Sequence, residues 1–305
     1  VQSPTPEELR IPVSGGDLAA LRWPAAGGDG AGAATGASGT PPVLAVHGIT
    51  ANGLSFGAVA AHLAPHTAVV APDLRGRGAS GHLPGPYGLG AHVDDLVAVL
   101  DHLGVERAVL AGHSMGAFVS CLAAVRRPDR FAAALLVDGG YGLAAPPGTD
   151  IEAVIGPAMA RLRMEFADRD AYRGFWRRHP AFGGELPEVV DAYIQRDLVG
   201  AEPHMHSPCV EEAVRTDGAQ VLADAEVLGA VHRLPCPTRL LWARRGLLDE
   251  EPGLYTPETL TSLAEAGVPT EEVPGTNHYS LLFDPESARL VAERVRDLQR
   301  QSAGA

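Results

Sequence analysis

The sequence predicts an α/β fold: a mostly parallel central sheet flanked by helices and interrupted by a helical insertion. Three observations lead there. Five short apolar runs, PVLAVHG (42–48), TAVVAPD (67–73), RAVLAGHS (107–114), AAALLVDGG (132–140) and TRLLWA (238–243), have the length and composition of fully buried strands. The first four end in Gly, Asp or Ser, as strands do when their tips face a site. Helical patterns separate the early runs, and strand–helix alternation implies crossover units and parallel pairing. The alternation then stops after Gly140 and resumes only at Thr238.

Taken in chain order, residues 25–40 (AAGGDGAGAATGASGT) are a small-residue run with nothing to bury, read as a flexible loop between two early strands. LSFGAVAAHLAPH, LGAHVDDLVAVLDHLG and SMGAFVSCLAAVRR carry apolar residues at three and four spacing, the last two stopping near Gly104 and Pro128. From about Tyr141 to Leu234 there are helical segments and proline breaks but no convincing strand. The expected organisation is a core of residues 1–140 and 235–305 with a helical cap over 141–234. Seven of the sixteen aromatic residues (Tyr141, Phe166, Tyr172, Phe175, Trp176, Phe182 and Tyr193) fall in this stretch, with Met159, Met164 and Met205. Such side chains suit an adaptable apolar pocket wall, and Tyr141, Trp176 and Met159 are the expected substrate contacts. The alternative is that they form the insertion's own core.

Composition removes several classes of function. All 24 basic residues are arginine, so chemistry needing a lysine amine is excluded, including Schiff bases, pyridoxal phosphate attachment and the lysine of a phosphate-binding loop. A net charge of −13 disfavours nucleic acid and anionic lipid surfaces. The three cysteines, Cys121, Cys209 and Cys236, are far apart and form no CxxC pair. His204 and His206 lack an acidic partner spaced to complete a metal site, so neither metal nor organic cofactor is expected. No apolar run approaches the ~20 residues of a membrane span. The first residues lack the basic start and apolar run of a secretory signal. A cytoplasmic protein is expected, with a small-molecule partner; oligomeric state is not readable.

The strongest local signal is GHSMG (112–116), directly after the run Val109, Leu110, Ala111 and directly before a helical pattern. A strand that turns abruptly into a helix holds its central side chain exposed on a strained bend, and glycines two before and two after let the backbones approach. Ser114 then lies at a helix amino end, where the dipole and free backbone donors favour developing negative charge. A serine hydroxyl is a weak nucleophile and needs a base. Of twelve histidines, His62, His66, His92 and His102 fall in or beside surface helices, and His113 is the variable residue of the motif. His278, in EEVPGTNHYS before the final amphipathic helix, is the expected base. An oxyanion needs preorganised donors, usually two backbone N–H groups. Those of Met115, after the serine, and Ile49, at the strand tip VLAVHGIT, are the candidates, with His47 bracing that loop.

HGIT after one strand, PDLRGRGAS (72–80) after the next, GHSMG, and the late GTNH together resemble the alpha/beta-hydrolase superfamily with a helical cap, over about residues 42–300. The resemblance implies the alpha/beta-hydrolase fold. It is shared by esterases, lactonases, epoxide hydrolases, haloalkane dehalogenases, carbon–carbon bond hydrolases and cofactor-free haloperoxidases. The epoxide hydrolases and dehalogenases of that group use an aspartate at the bend, whereas Ser114 here would give a dead-end ether with an alkyl halide. Acyl transfer remains, because an acyl-serine ester is itself hydrolysable.

In most relatives the acid that orients the histidine follows the strand after the cap. Here Gly246 stands near that place, and Asp249 lies further on in a longer loop. Asp138, at the tip of the strand before the cap, is the preferred acid because a rigid strand end orients a base well; Asp249 is the alternative. The expected activity is cleavage of a carboxylic ester or lactone with an apolar body. Carbon–carbon bond hydrolysis of a diketone is the alternative, kept open by Arg161, Arg163 and Arg173 as possible carboxylate holders. A non-catalytic binder on the same frame is the third reading.

Overall fold

The fold was obtained as a computed structural model, which describes residues 5–26, 40–142, 146 and 148–303. The glycine-rich run at 27–39 lies outside the described residues. In chain order the elements are β1 (Glu7–Val13), β2 (Gly16–Trp23), β3 (Val43–Val46), α1 (Gly57–Leu63), β4 (Val69–Pro72), α2 (Leu89–His102), β5 (Ala108–His113), α3 (Met115–Arg126) and β6 (Phe131–Val137). Then come α4 (Ile151–Leu162), α5 (Arg169–Arg177), α6 (Glu188–Arg196), α7 (Glu211–Ala223) and α8 (Ala225–Ala230). The chain ends with β7 (Thr238–Trp242), α9 (Pro257–Glu265), β8 (Thr270–Glu272), α10 (Ser280–Phe283) and α11 (Pro285–Ala303).

The eight strands form one sheet in the order β1-β2-β4-β3-β5-β6-β7-β8. It is parallel from β4 to β8, and antiparallel where β1 pairs with β2 and β2 with β4. The five expected strands are β3 to β7. The amino-terminal hairpin β1–β2 was not specified by the sequence reading, although Gly15 and Gly16 between two β-rich segments were a usable turn signal; both have positive φ.

Alternation along the strands sends side chains to two cores. Leu44, Val46, Leu110, Leu136 and Leu240 pack with α2 and α3 on one face. Val43, Ala45, Val109, Ala111, Leu135 and Leu241 pack with α1 and α11 on the other. Burial on both faces explains the unbroken apolar runs.

Between β6 and β7 the described chain is helical, with two isolated bridges, Phe166 to Met205 and Val199 to His206. Its aromatics pack mainly with one another, through Phe166, Tyr172, Trp176 and Tyr193, together with Phe283. The end of the expected cap behaves differently. Val221, Val227, Ala230 and Val231 belong to the main core beside α3. Among the described residues no helix is long and apolar enough to cross a membrane.

Candidate active site

Three strand tips converge at the carboxyl edge of the sheet. Ser114 joins β5 to α3 with φ 56° and ψ −125°, a left-handed-side conformation that costs a non-glycine residue energy. Its amide N–H donates to the Val137 carbonyl at 2.9 Å, tying the bend to β6. The bend requires bare backbone around it. A Cβ on Gly116 would lie 2.0 Å from the Val46 carbonyl oxygen, and one on Gly139 would lie 2.1 Å from that of Ser114.

His278 follows β8 on a loop whose turn is stitched by Asn277, its Oδ1 accepting from the amides of Tyr279 and Ser280. The imidazole Nδ1 stands 2.6 Å from Asp138 Oδ2. Asp138 is fully buried at the end of β6, and its other oxygen accepts the Ala243 N–H at 3.1 Å. The geometry therefore brings Asp138 to the imidazole. Asp249 instead accepts from Asn277 Nδ2 at 2.9 Å and pairs with Arg245, bracing the loop that carries His278.

Ser114, His278, Asp138, Ile49 and Met115 all line one cavity of about 70 Å³. The remaining wall is mainly apolar, with Ile151, Val154 and Ile155 from α4, Tyr193 from α6, Leu254 and Phe283. The three expected contacts are a correction. Met159, on α4 itself, is fully buried in a cluster with Ile151, Ile155, Cys209 and Val214. Trp176 packs against Tyr193 and Tyr279, whose rings do line the cavity. Tyr141 lies edge-on to His232, away from it. A helix that buries its largest side chains among its neighbours presents its smaller aliphatic face to the cavity, and aromatic content alone does not distinguish the two faces.

The loop that carries Ile49 is braced by His47. His47 Nε2 accepts the Leu74 N–H at 2.9 Å, so Nδ1 carries the proton and donates to the Gly48 carbonyl at 2.8 Å. Burial pushes its pKa down from 6.5 to about 4. The unfolded chain therefore binds one more proton than the folded chain between those values. Stability from this group is complete above pH 6.5 and is lost as pH falls towards 4, by on the order of 3 kcal/mol. Urea unfolding at pH 7 and pH 4.5 should show this loss, with a smaller loss in His47→Gln; equal losses in both proteins would contradict it.

His113, read as merely variable, is nearly fully buried, and burial holds it well below the usual imidazole range. Its Nε2–H donates to the His278 carbonyl at 2.8 Å, joining the residue before Ser114 to the histidine loop. His92, expected at a surface, is instead buried and bonded to Asp217 at 2.8 Å. Asp73 shapes the PDLRGRGAS loop, accepting from the amides of Gly53 and Ala79. Cys121 is a buried core residue.

Chemically, the site combines a strained hydroxyl, an imidazole oriented by a buried carboxylate, and a helix amino end, beneath an apolar wall. Residues 43–294 match the family model described as alpha/beta hydrolase family. The chain is 37% identical over 167 residues to lipase LipV of Mycobacterium tuberculosis, a match spanning 54% of this chain and 60% of the lipase. It is 33% identical over 249 residues to 2-(acetamidomethylene)succinate hydrolase of Mesorhizobium japonicum, covering 81% and 84% of the two. A solved structure of E-2-(acetamidomethylene)succinate hydrolase superposes with a TM-score of 0.74 at 20% identity, over 96% of this chain and 98% of that one. The fold and the match along most of the chain lead to one conclusion: the protein belongs to the alpha/beta hydrolase family.

Proposed function

We propose that the protein is a serine hydrolase that cleaves a carboxylic ester or lactone with a neutral, apolar body. The observation that carries this reading is the His278–Asp138 pair at 2.6 Å in the cavity lined by Ser114. His278 removes the proton from Ser114, whose oxygen attacks the carbonyl carbon. The tetrahedral oxyanion is held by the N–H groups of Ile49 and Met115, and the imidazolium returns its proton to the leaving alkoxide. Water then attacks the acyl-serine with the same imidazole as base, releasing the acid. Asp138 holds Nδ1–H and steadies the imidazolium. His278 and Asp138 are buried enough that their bond is little screened.

Substrate preference follows from the wall. Among the described residues no arginine lines the cavity. Arg161 is engaged by Asp197, Arg163 by Glu152 and Glu211, and Arg173 by Asp170 and Asp191. A second carboxylate or an enolate would meet no cation, which favours ester or lactone cleavage over the diketone alternative. A cavity of about 70 Å³ suits a short acyl group. p-Nitrophenyl acetate and butyrate should be turned over with kcat/KM at least about tenfold above the palmitate ester. A preference for palmitate would refute the size argument. Stoichiometric labelling of Ser114 by a fluorophosphonate tests the mechanism itself; no labelling would leave a binding protein.

A further inference from the structure

The peptide units that follow His47 are each held by a different part of the molecule. The Gly48 carbonyl accepts from His47 Nδ1–H and from the Ala51 N–H at 3.2 Å. In a trans peptide the N–H points opposite to the carbonyl, so these bonds set the direction of the Ile49 N–H. The Ile49 carbonyl accepts from Arg77 Nε at 3.0 Å, and Arg77 is itself buried and paired with Asp217 of α7 at 2.6 Å. The Thr50 carbonyl accepts from Arg161, which comes from α4 in the inserted helices, at 3.2 Å.

Arg161 is 2% exposed and ties α4 to α5 and to the segment just after α6. It pairs with Asp197 just after α6 and donates to the Tyr172 hydroxyl of α5 at 2.9 Å. Its guanidinium lies over the Trp176 ring, 5.3 Å from the centroid. Asp197 also accepts from Tyr172 at 2.8 Å and Ser207 at 2.9 Å. A second link runs the other way, from Asn52 Nδ2 to the Tyr193 carbonyl at 3.0 Å.

We propose that Arg161 is a positioning residue for the oxyanion loop: by holding the Thr50 carbonyl, it makes docking of the inserted helices a condition for stabilising negative charge at the site. The inference rests on the serine-hydrolase reading and extends it. A planar fork is needed, because one guanidinium must satisfy Asp197 and reach Thr50 at the same time. A lysine ammonium at this place retains the charge for Asp197 but cannot span both.

Arg161→Lys and Arg161→Met test this with an alkyl trifluoromethyl ketone and p-nitrophenyl butyrate. The ketone forms an anionic hemiketal: the Ser114 oxygen bonds to its carbonyl carbon, the π pair moves to oxygen, and the serine proton goes to His278. Arg161→Lys should keep its thermal midpoint within a few degrees and KM within about threefold. Its kcat and its affinity for the ketone should both fall, by roughly 10- to 100-fold, less than loss of a whole oxyanion donor. The pH midpoint of hydrolysis should not move. If lysine restores wild-type ketone affinity, the arginine serves only the ion pair and the proposal is overturned. Equal weakening of KM and ketone affinity would also overturn it. Should Arg161→Met fail to fold, Arg161→Lys decides alone. If the wild-type protein itself neither hydrolyses the ester nor binds the ketone, the serine-hydrolase reading fails and this inference goes with it.

Discussion

Ser114→Ala is expected to lower kcat for p-nitrophenyl butyrate by a factor on the order of 10⁶, to the background left by binding and the oxyanion donors. The size of the effect follows from the lack of a substitute. Cys121 and Cys209 are buried outside the cavity, and burial raises both thiols above their usual range. The fold should be unaffected, because alanine loses only a hydroxyl at a position whose backbone strain is imposed by neighbouring glycines. Circular dichroism should therefore match wild type while fluorophosphonate labelling disappears. Retention of activity within tenfold of wild type would remove the acyl-serine mechanism.

Asp138→Asn should lower kcat by about 10⁴-fold, the scale seen when a triad imidazole is held in the wrong tautomer. The structure gives a specific reason. Asp138 Oδ1 accepts the Ala243 N–H, so an asparagine must place its oxygen there and turn its NH₂ towards His278 Nδ1. Nδ1 would then have to accept, the proton would sit on Nε2, and the imidazole could no longer take the serine proton. Asp249→Asn should change kcat less than about threefold. Its φ of 66° suits asparagine, the bond from Asn277 survives, and the half-exposed pair with Arg245 contributes little. Measured kcat values for the two variants, with unfolding curves to show intact folds, decide between the acids. A large loss at Asp249 with a small one at Asp138 would reverse the assignment.

Much of the molecule was legible in the sequence, for local reasons. β3 to β7 are buried on both faces, so each declares itself as a short apolar run, and the glycines around Ser114 mark a bend that no bulkier residue could complete. The hairpin β1–β2 was less visible because only one of its strands is buried: β1 is largely exposed and breaks the apolar pattern. The cap's aromatics misled for a related reason. Composition reports that Trp176, Tyr141 and Met159 need partners, not whether those partners are a ligand or other side chains.

What the sequence determined by itself is therefore chemistry carried by consecutive residues: a serine on a strand-to-helix bend, a histidine on a late loop, and the buried strands whose alternation with helices implies a parallel sheet. The tertiary structure alone decided matters of distance between remote segments. It set Asp138, and not Asp249, against the His278 imidazole, and it sent His113 to the His278 carbonyl. It gave the cavity its aliphatic lining and tied Arg161 to Thr50 across 111 positions. Hydrogen bonds and packing act over a few ångströms, and residues this far apart in the chain meet only once the sheet has twisted and the inserted helices have docked upon it.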